Sequence, residues 1–416
     1  MVSFKALVDA YYTTRQNKRR SSDSVHFELH WQRNLLDLQE AINTRTLKPT
    51  AYTFVTPNPC PREIFACDMS MRIIHHYIDM RLRPYLEDEL TTRTFNNRIG
   101  YGQCAAVNTL ISDIYEVSEG FTKDAWIIKT DIKGYFPNAS QQLVCDQLTD
   151  ITIRRYVGED KEDLLYMIQR AIFSYPTLHC TKRSVLWKWA DIPDDKCLFK
   201  KPFGIGGAIG HLIWQNAMNY YLNDLDHEIV DFCKIHYLRF VDDIAIVTDN
   251  KEACLAYVVP LIRKRLQERG CTIHPKKFYC QHVSKGVLFI GSFIKLNRVY
   301  PNNRVVWRTF RSIRYFNRRV SVNHLESFIQ TMNSRLGLLK TRNSYGILRN
   351  CIDQINPKWW NFCVYDDHRK LISPKENYKQ NKLLCIKHNL FNIKYNNGNG
   401  KKLRRKASRN RQLFFS

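Results

Sequence analysis

No apolar run in this chain approaches the length of a membrane span, and Asp9 interrupts the one N-terminal stretch that comes near. There is no C-x-x-C pair and no Cys/His cluster at zinc spacing, although thirteen cysteines are scattered along the sequence. That odd, dispersed set argues against a disulfide scaffold and fits reduced thiols packed as small hydrophobes. With no secretory leader, a cytoplasmic setting is expected. Internal repeats are absent, which argues against a solenoid. Acids are scarce, with 39 Asp and Glu against 64 Lys and Arg and none after Glu376. A net charge of +25 predicts a polyanionic partner, because phosphate neutralisation releases counterions. Nucleic acid is the leading candidate, and no membrane partner is expected.

At 416 residues the chain exceeds one ordinary core, so two to four lobes are expected. Phe4, Leu7, Val8 and Tyr11 predict an amphipathic helix running into the basic stretch Arg15 to Arg20, and Leu35, Leu36, Leu38 and Ile42 predict a second. Prolines between Pro57 and Pro61 break regular structure before a short strand at Arg62–Phe65 and a helix from Met71 to Tyr85. Val144 to Tyr175 reads as helical. Gly204-Ile205-Gly206-Gly207-Ala208-Ile209-Gly210 reads as a glycine-rich loop opening a long helix through Gln215, Asn219, Leu222 and Leu225. Ala253 to Arg269 reads as a helix, Gly286 to Ser292 as a strand, and Asn323 to Cys363 as a helical region. The acid-free stretch after Glu376 reads as a disordered basic tail.

The chemistry concentrates in Tyr237-Leu238-Arg239-Phe240-Val241-Asp242-Asp243-Ile244-Ala245-Ile246-Val247, an apolar run, two like charges and a second apolar run. This reads as a hairpin exposing Asp242 and Asp243 at its turn. Adjacent anions repel unless they share a cation, so a divalent metal is the simplest reason for the pair. Asp131, in the β-branched run Trp126 to Phe136, supplies a third carboxylate 111 positions earlier, room enough for a helical crossover. Oxygen-only ligands favour two Mg²⁺ ions, or Mn²⁺, over zinc, and such a pair suits phosphoryl transfer by a polymerase.

Taken together, the sequence resembles a reverse transcriptase, and most of all those of diversity-generating retroelements, within the group II intron-like superfamily. The resemblance runs from about Leu7 to Trp360. It is carried by Asp9-Ala10-Tyr11-Tyr12, Pro61 through Ala66, Arg72-Ile73-Ile74-His75-His76, Lys129 through Phe136, Ala208-Ile209-Gly210 through Gln215, Val241-Asp242-Asp243, His274-Pro275-Lys276-Lys277 and Gly286 through Ser292. It implies an α+β right-hand polymerase with fingers, a palm of antiparallel sheet plus helices, and a helical thumb. The implied domains are an N-terminal extension and fingers at 1–118, a palm at 119–297 with an insertion near 176–203, a thumb at 298–375 and a basic tail at 376–416.

Residue by residue, the resemblance places the two metals on Asp131, Asp242, Asp243 and the Ile132 carbonyl. Phe136 would be the steric gate under the sugar, Arg62 would meet the nucleotide phosphates, and Lys277 would serve the pyrophosphate. Ile209, Gly210 and Gln215 would border the nascent base pair, and Phe289, Ile290, Gly291 and Ser292 would form the primer grip. Faithful members place a glutamine where Ile209 stands; an aliphatic side chain offers no donor or acceptor, so error-prone copying at template adenines is implied. The chain departs from the family at Trp214 for serine, Phe240 for tyrosine, Cys60 for lysine and Tyr101 within a glycine loop. Implied partners are template RNA, the cDNA/RNA heteroduplex, dNTPs and the pentameric accessory variability determinant protein. Alternatives are a defence-associated or group II intron-like reverse transcriptase, although no H-N-H or paired-cysteine arrangement follows Trp360, and a catalytically silent RNA-binding scaffold.

Overall fold

The structure is a computed structural model, and it describes residues 1–16, 21–56, 61–233, 235–296 and 298–379. The chain divides into two compact units, Met1–Ile290 and Gly291–Ser416.

The first unit begins with three helices, α1 (Phe4–Arg15), α2 (Ser22–Leu29) and α3 (Trp31–Asn43). Ser3 caps α1 by accepting from the Ala6 N–H, and the face that carries Leu7, Ala10 and Tyr11 is buried. The basic stretch that follows lies largely outside the described residues. The antiparallel hairpin β1 (Ala51–Thr56) and β2 (Arg62–Cys67) leads into α4 (Met69–Glu89), capped by the Asp68 side chain, which accepts from the Met71 N–H at 2.7 Å. This helix is longer at both ends than its sequence pattern predicts and runs through Pro84.

Next come β3 (Thr94–Phe95), α5 (Gln103–Val117), β4 (Trp126–Lys133), α6 (Gln141–Arg155), α7 (Lys161–Ile172), α8 (Pro176–His179) and β5 (Thr181–Lys182). They are followed by α9 (Leu212–Tyr220), α10 (Asn223–His227), β6 (His236–Phe240) and β7 (Asp243–Thr248). The unit closes with α11 (Lys251–Ala253), α12 (Val259–Glu268), β8 (Thr272–Ile273), β9 (Tyr279–His282) and β10 (Val287–Phe289). The central sheet has the order β3-β6-β7-β4-β8, with β9 also paired to β4. Residues 244–248 of β7 are all buried, as expected of a β-branched strand covered on both faces.

Three expectations change. The helix predicted through Leu225 breaks after Tyr220, where the Asn223 side chain donates instead to the Glu89 carbonyl at 3.0 Å. Val144 to Tyr175 is helical as expected, divided between α6 and α7. Gly286 to Ser292 is not one strand, because Ile290 and Gly291 both take positive φ (42° and 72°) between β10 and a separate strand at Ser292–Lys295. The tail begins with a short helix, Glu376–Lys379, and residues 380–416 lie outside the description.

The second unit is α+β rather than purely helical. It pairs Ser292–Lys295 with Arg298–Pro301, and Cys363–Asp366 with Leu371–Pro374. Between these hairpins lie helices at Asn303–Asn317, Val322–Lys340 and Tyr345–Asp353, the first of them not anticipated from sequence. Phe328 and Trp359 stack with centroids 4.1 Å apart at the centre of its core.

Candidate active site

Register places two of the carboxylates. In the antiparallel β4–β7 pair Asp131 lies directly opposite Asp243, so both side chains leave the same face of the sheet. Asp242 sits one residue earlier, in the two-residue turn that joins β6 to β7. The Ile132 N–H donates to the Asp242 carbonyl at 2.7 Å, which docks the peptide after Asp131 against that turn. Val241, the first turn residue, has φ of 58°, a conformation that glycine tolerates and a β-branched side chain resists. Strain of this kind persists where surroundings over-determine it, and the Val241 carbonyl accepts from the Arg239 guanidinium at 3.2 Å.

Crowding of like charge shows in the electrostatics. Burial, followed by the Asp243 and Asp131 carboxylates, pushes the Asp242 carboxyl up to about 6. Lys129 donates to Asp243 Oδ1 at 2.8 Å, and Lys277 donates to Asp131 Oδ2 at 2.6 Å. The Lys129 side chain is 12% exposed and that of Lys277 51%, so the second can swing away far more readily. Among the described residues, Asp131, Asp242 and Asp243 do not form a set whose ligand atoms all lie within 4.8 Å of one another. Three hard oxygen donors, one of them too crowded to hold its charge easily, fit a divalent ion.

Around this centre the glycine-rich loop is pinned by main-chain hydrogen bonds. Gly207 N–H donates to the Phe136 carbonyl at 2.9 Å and Gly206 N–H to the Ala139 carbonyl at 2.8 Å. Phe136 is half-buried in the turn that follows β4. The Ile209 carbonyl accepts from the Phe65 N–H at 2.8 Å, which ties the loop to β2. Gly210 has φ of 114°, and a Cβ there would come within 2.3 Å of the Phe65 carbonyl oxygen, so only glycine fits. Gln215, partly buried in α9, accepts on its carbonyl from Asn97 Nδ2 at 3.1 Å. Arg62 stands exposed at the start of β2, and Trp214 is fully buried with its ring under Gly207. Of the residues expected at the primer grip, Phe289 and Ile290 end the first unit while Gly291 and Ser292 open the second. The Gln103 amide donates to the Ile290 carbonyl, and Ser292 Oγ accepts from Arg342 Nε at 2.7 Å.

Residues 60–294, more than half of the chain, match the family described as reverse transcriptase (RNA-dependent DNA polymerase). The chain belongs to the reverse transcriptase family. Its relatives are nucleotidyltransferases that work on RNA templates and dNTPs with divalent metal ions. No curated protein matches the sequence. Similar solved structures include telomerase from Candida albicans in complex with a fragment of telomeric RNA, at 13% identity and TM-score 0.43, covering 74% of this chain and 54% of that one. Apo telomerase from Candida tropicalis gives 13% and 0.46, covering 75% and 56%, and a form truncated from its C-terminal domain gives 13% and 0.43, covering 65% and 60%. The chain thus spans little more than half the length of these telomerases.

Three features of this reverse transcriptase escape its linear sequence. Lys129, two residues before Asp131 on β4, shares its face and neutralises Asp243. Arg239, which alternation alone would put on either face, is fully buried against Asp226. Cys67, His75 and His211 converge although no local spacing pairs them. Alternation along β4 is the signal that could have found the first; nothing in the sequence points to the other two.

Proposed function

We propose that this reverse transcriptase copies a template-repeat RNA into adenine-mutated cDNA for mutagenic retrohoming in a diversity-generating retroelement. The observation that carries the reading is Ile209, half-buried beside Gly210 and tied through its carbonyl to β2, where it offers the nascent pair an aliphatic wall without a hydrogen-bonding group. In this reading residues 1–118 form the N-terminal extension and fingers, 119–297 the palm and 298–375 the thumb.

Asp131, Asp242, Asp243 and the Ile132 carbonyl would hold two Mg²⁺ ions, with Mn²⁺ a substitute. When bound, such a pair supplies Lewis-acid activation of the primer hydroxyl and charge neutralisation at the departing pyrophosphate. The chain's own residues do the rest. Lys277 leaves Asp131 to donate to the pyrophosphate, and its half-exposed side chain gives it the freedom to do so. Arg62 offers its fork to the triphosphate from the loop end of the β1–β2 hairpin, where it lies opposite Thr56. Phe136, fixed through its carbonyl to Gly207, packs under the deoxyribose and leaves no room for a 2′-hydroxyl. Phe289 through Ser292 present backbone to the primer strand. The net charge of +25 supports binding of the RNA template and the cDNA/RNA heteroduplex, and RNA is the natural bridge to a pentameric accessory variability determinant protein that is itself basic.

Primer extension on a defined RNA, followed by sequencing of the cDNA, tests this reading. Mg²⁺-dependent synthesis with substitutions concentrated opposite adenines is expected, and Asp242→Asn should abolish synthesis while leaving the fold and RNA binding in place. Faithful cDNA would move the chain to the defence-associated or group II intron-like enzymes, and RNA binding without synthesis by the wild type would make it a scaffold.

A further inference from the structure

Away from the carboxylates, Cys67 at the end of β2, His75 in the second turn of α4 and His211 just ahead of α9 meet in the interior of the first unit. Their exposures are 3%, 1% and 2%, and one ligand atom from each lies within 4.8 Å of the other two. Cys67 Sγ is 3.8 Å from His75 Nδ1, and the two imidazole centroids are 5.1 Å apart. A tetrahedral zinc ion with Zn–S of about 2.3 Å and Zn–N of about 2.1 Å sets its sulfur and nitrogen ligands about 3.6 Å apart. The observed 3.8 Å, which is also within reach of a thiol–imidazole hydrogen bond, is close to that spacing.

His211 gives the second indication. Neither of its ring nitrogens has a hydrogen-bond partner among the described residues, although both are buried. Interiors rarely leave such atoms unmet, and a bound cation would engage one of the two nitrogens while the other carries the ring proton. Beside the cluster is a small cavity lined by Thr50, Met71, Ser174 and His179 together with Cys67 and His211. Ser174 Oγ likewise lacks a partner among the described residues.

We propose that Cys67, His75 and His211 bind one zinc ion, with a water in the neighbouring cavity as fourth ligand, hydrogen-bonded to Ser174 Oγ. One thiolate with two imidazoles selects zinc over the hard ions that suit the carboxylates. The ion staples together β2, α4 and the loop that precedes α9. Cys67 lies two residues beyond Phe65, whose N–H holds the Ile209 carbonyl, and His211 adjoins Gly210. The staple thus fixes the wall on which Ile209 and Gly210 stand.

Metal analysis of the purified full chain and Co²⁺ titration of chelator-stripped wild type test the site without relying on polymerase activity. One zinc per chain is expected, and Co²⁺ should develop thiolate-to-cobalt charge transfer in the near ultraviolet together with the visible bands of a tetrahedral site. Cys67→Ala should lose the charge-transfer band. His211→Asn should weaken Co²⁺ binding by at least the roughly 10–100-fold that loss of a mere supporting partner costs a metal site. Asp242→Asn should leave the signal intact, which separates this ion from any at the carboxylates. Wild-type protein free of zinc and silent to Co²⁺, a site filled by copper, or a cobalt spectrum unchanged by Cys67→Ala would each overturn the assignment. The wild-type titration decides the question even where a variant fails to fold.

Discussion

Arg239 and Asp226 face each other with neither side chain reaching solvent, Arg239 Nε lying 2.9 Å from an Asp226 oxygen. Every arm of the pair is used. Arg239 also donates to the Asn219 carbonyl at 2.8 Å and to the Val241 carbonyl, while Asp226 accepts from Tyr237 Oη at 2.7 Å and Thr94 Oγ1 at 2.8 Å. Arg239 points to the helical side of the sheet, opposite to Asp243, and so reaches the metal turn from beneath through Val241.

Breaking that pair strands a buried charge, so Arg239→Met should cost about 3–5 kcal/mol, read from denaturant midpoints. The double variant Arg239→Met with Asp226→Leu should regain most of that loss, since two apolar groups replace two desolvated charges. Primer extension by the double variant should stay slow, because the strained Val241 turn has lost its donor. Full extension rates in a stable double variant would reduce the pair to a packing role.

Asp242 makes stability depend on pH. Its pKa in the fold, about 6, lies above that of an unfolded aspartate, so between about 4 and 6 the native state binds the extra proton. The contribution of Asp242 to the stability of the metal-free protein is therefore greatest below this window and falls as pH rises through it, by about 3 kcal/mol for a shift of about two units. Asp242→Asn should flatten the dependence, and Mg²⁺ should restore stability to the wild type above the window. Denaturation series with chelator and with Mg²⁺ on both sides of the window measure all three effects.

Lys129 competes with any cation for Asp243. Replacing it with methionine, which keeps the stem that packs on β4, removes a charge-assisted hydrogen bond of about 1.5 kcal/mol. The Mg²⁺ concentration for half-maximal extension should then fall by about tenfold. A rise would show instead that Lys129 serves the substrate and not the carboxylates alone.

The parts of this site that were legible in sequence are those whose chemistry is local. Two carboxylates between apolar runs betray a hairpin and a cation wherever they occur, and a β-branched run ending in Asp131 predicts a strand able to meet it. The glycine at 210 is legible for the same reason, since a single backbone conformation demands it. What stayed hidden depends on partners that only the fold supplies. Arg239 reads as a polar step in a strand until Asp226 is placed under it, and Cys67 and His211 are separated by about half of the first unit. The turn at Ile290 is hidden differently, because a β-branched residue at positive φ contradicts its own propensity and reads as continuing strand.

Phe136 tests sugar selection. Its carbonyl, rather than its ring, anchors the loop to Gly207, so Phe136→Ala should leave the turn in place. Incorporation of ribonucleotides relative to dNTPs should rise by roughly 10–200-fold, the range available to a contact that works by shape alone. Steady-state incorporation of matched dNTP and rNTP pairs measures the ratio, and an unchanged ratio would place the sugar elsewhere.

Ile209 tests fidelity without disturbing the scaffold. The bond that holds the residue runs from the Phe65 N–H to the Ile209 carbonyl and is independent of the side chain, and the half-buried position leaves space for a polar head group to turn outward. Ile209→Gln should therefore fold normally and add a donor and an acceptor beside the nascent pair. A mispaired template adenine would then leave one of them unmet, which costs about 1–3 kcal/mol where water is excluded. Substitutions opposite adenine should drop by about tenfold in sequenced cDNA, while those opposite the other bases change little. An error spectrum identical to wild type, with synthesis intact, would detach this position from base selection and return the adenine preference to the template-side wall around Trp214.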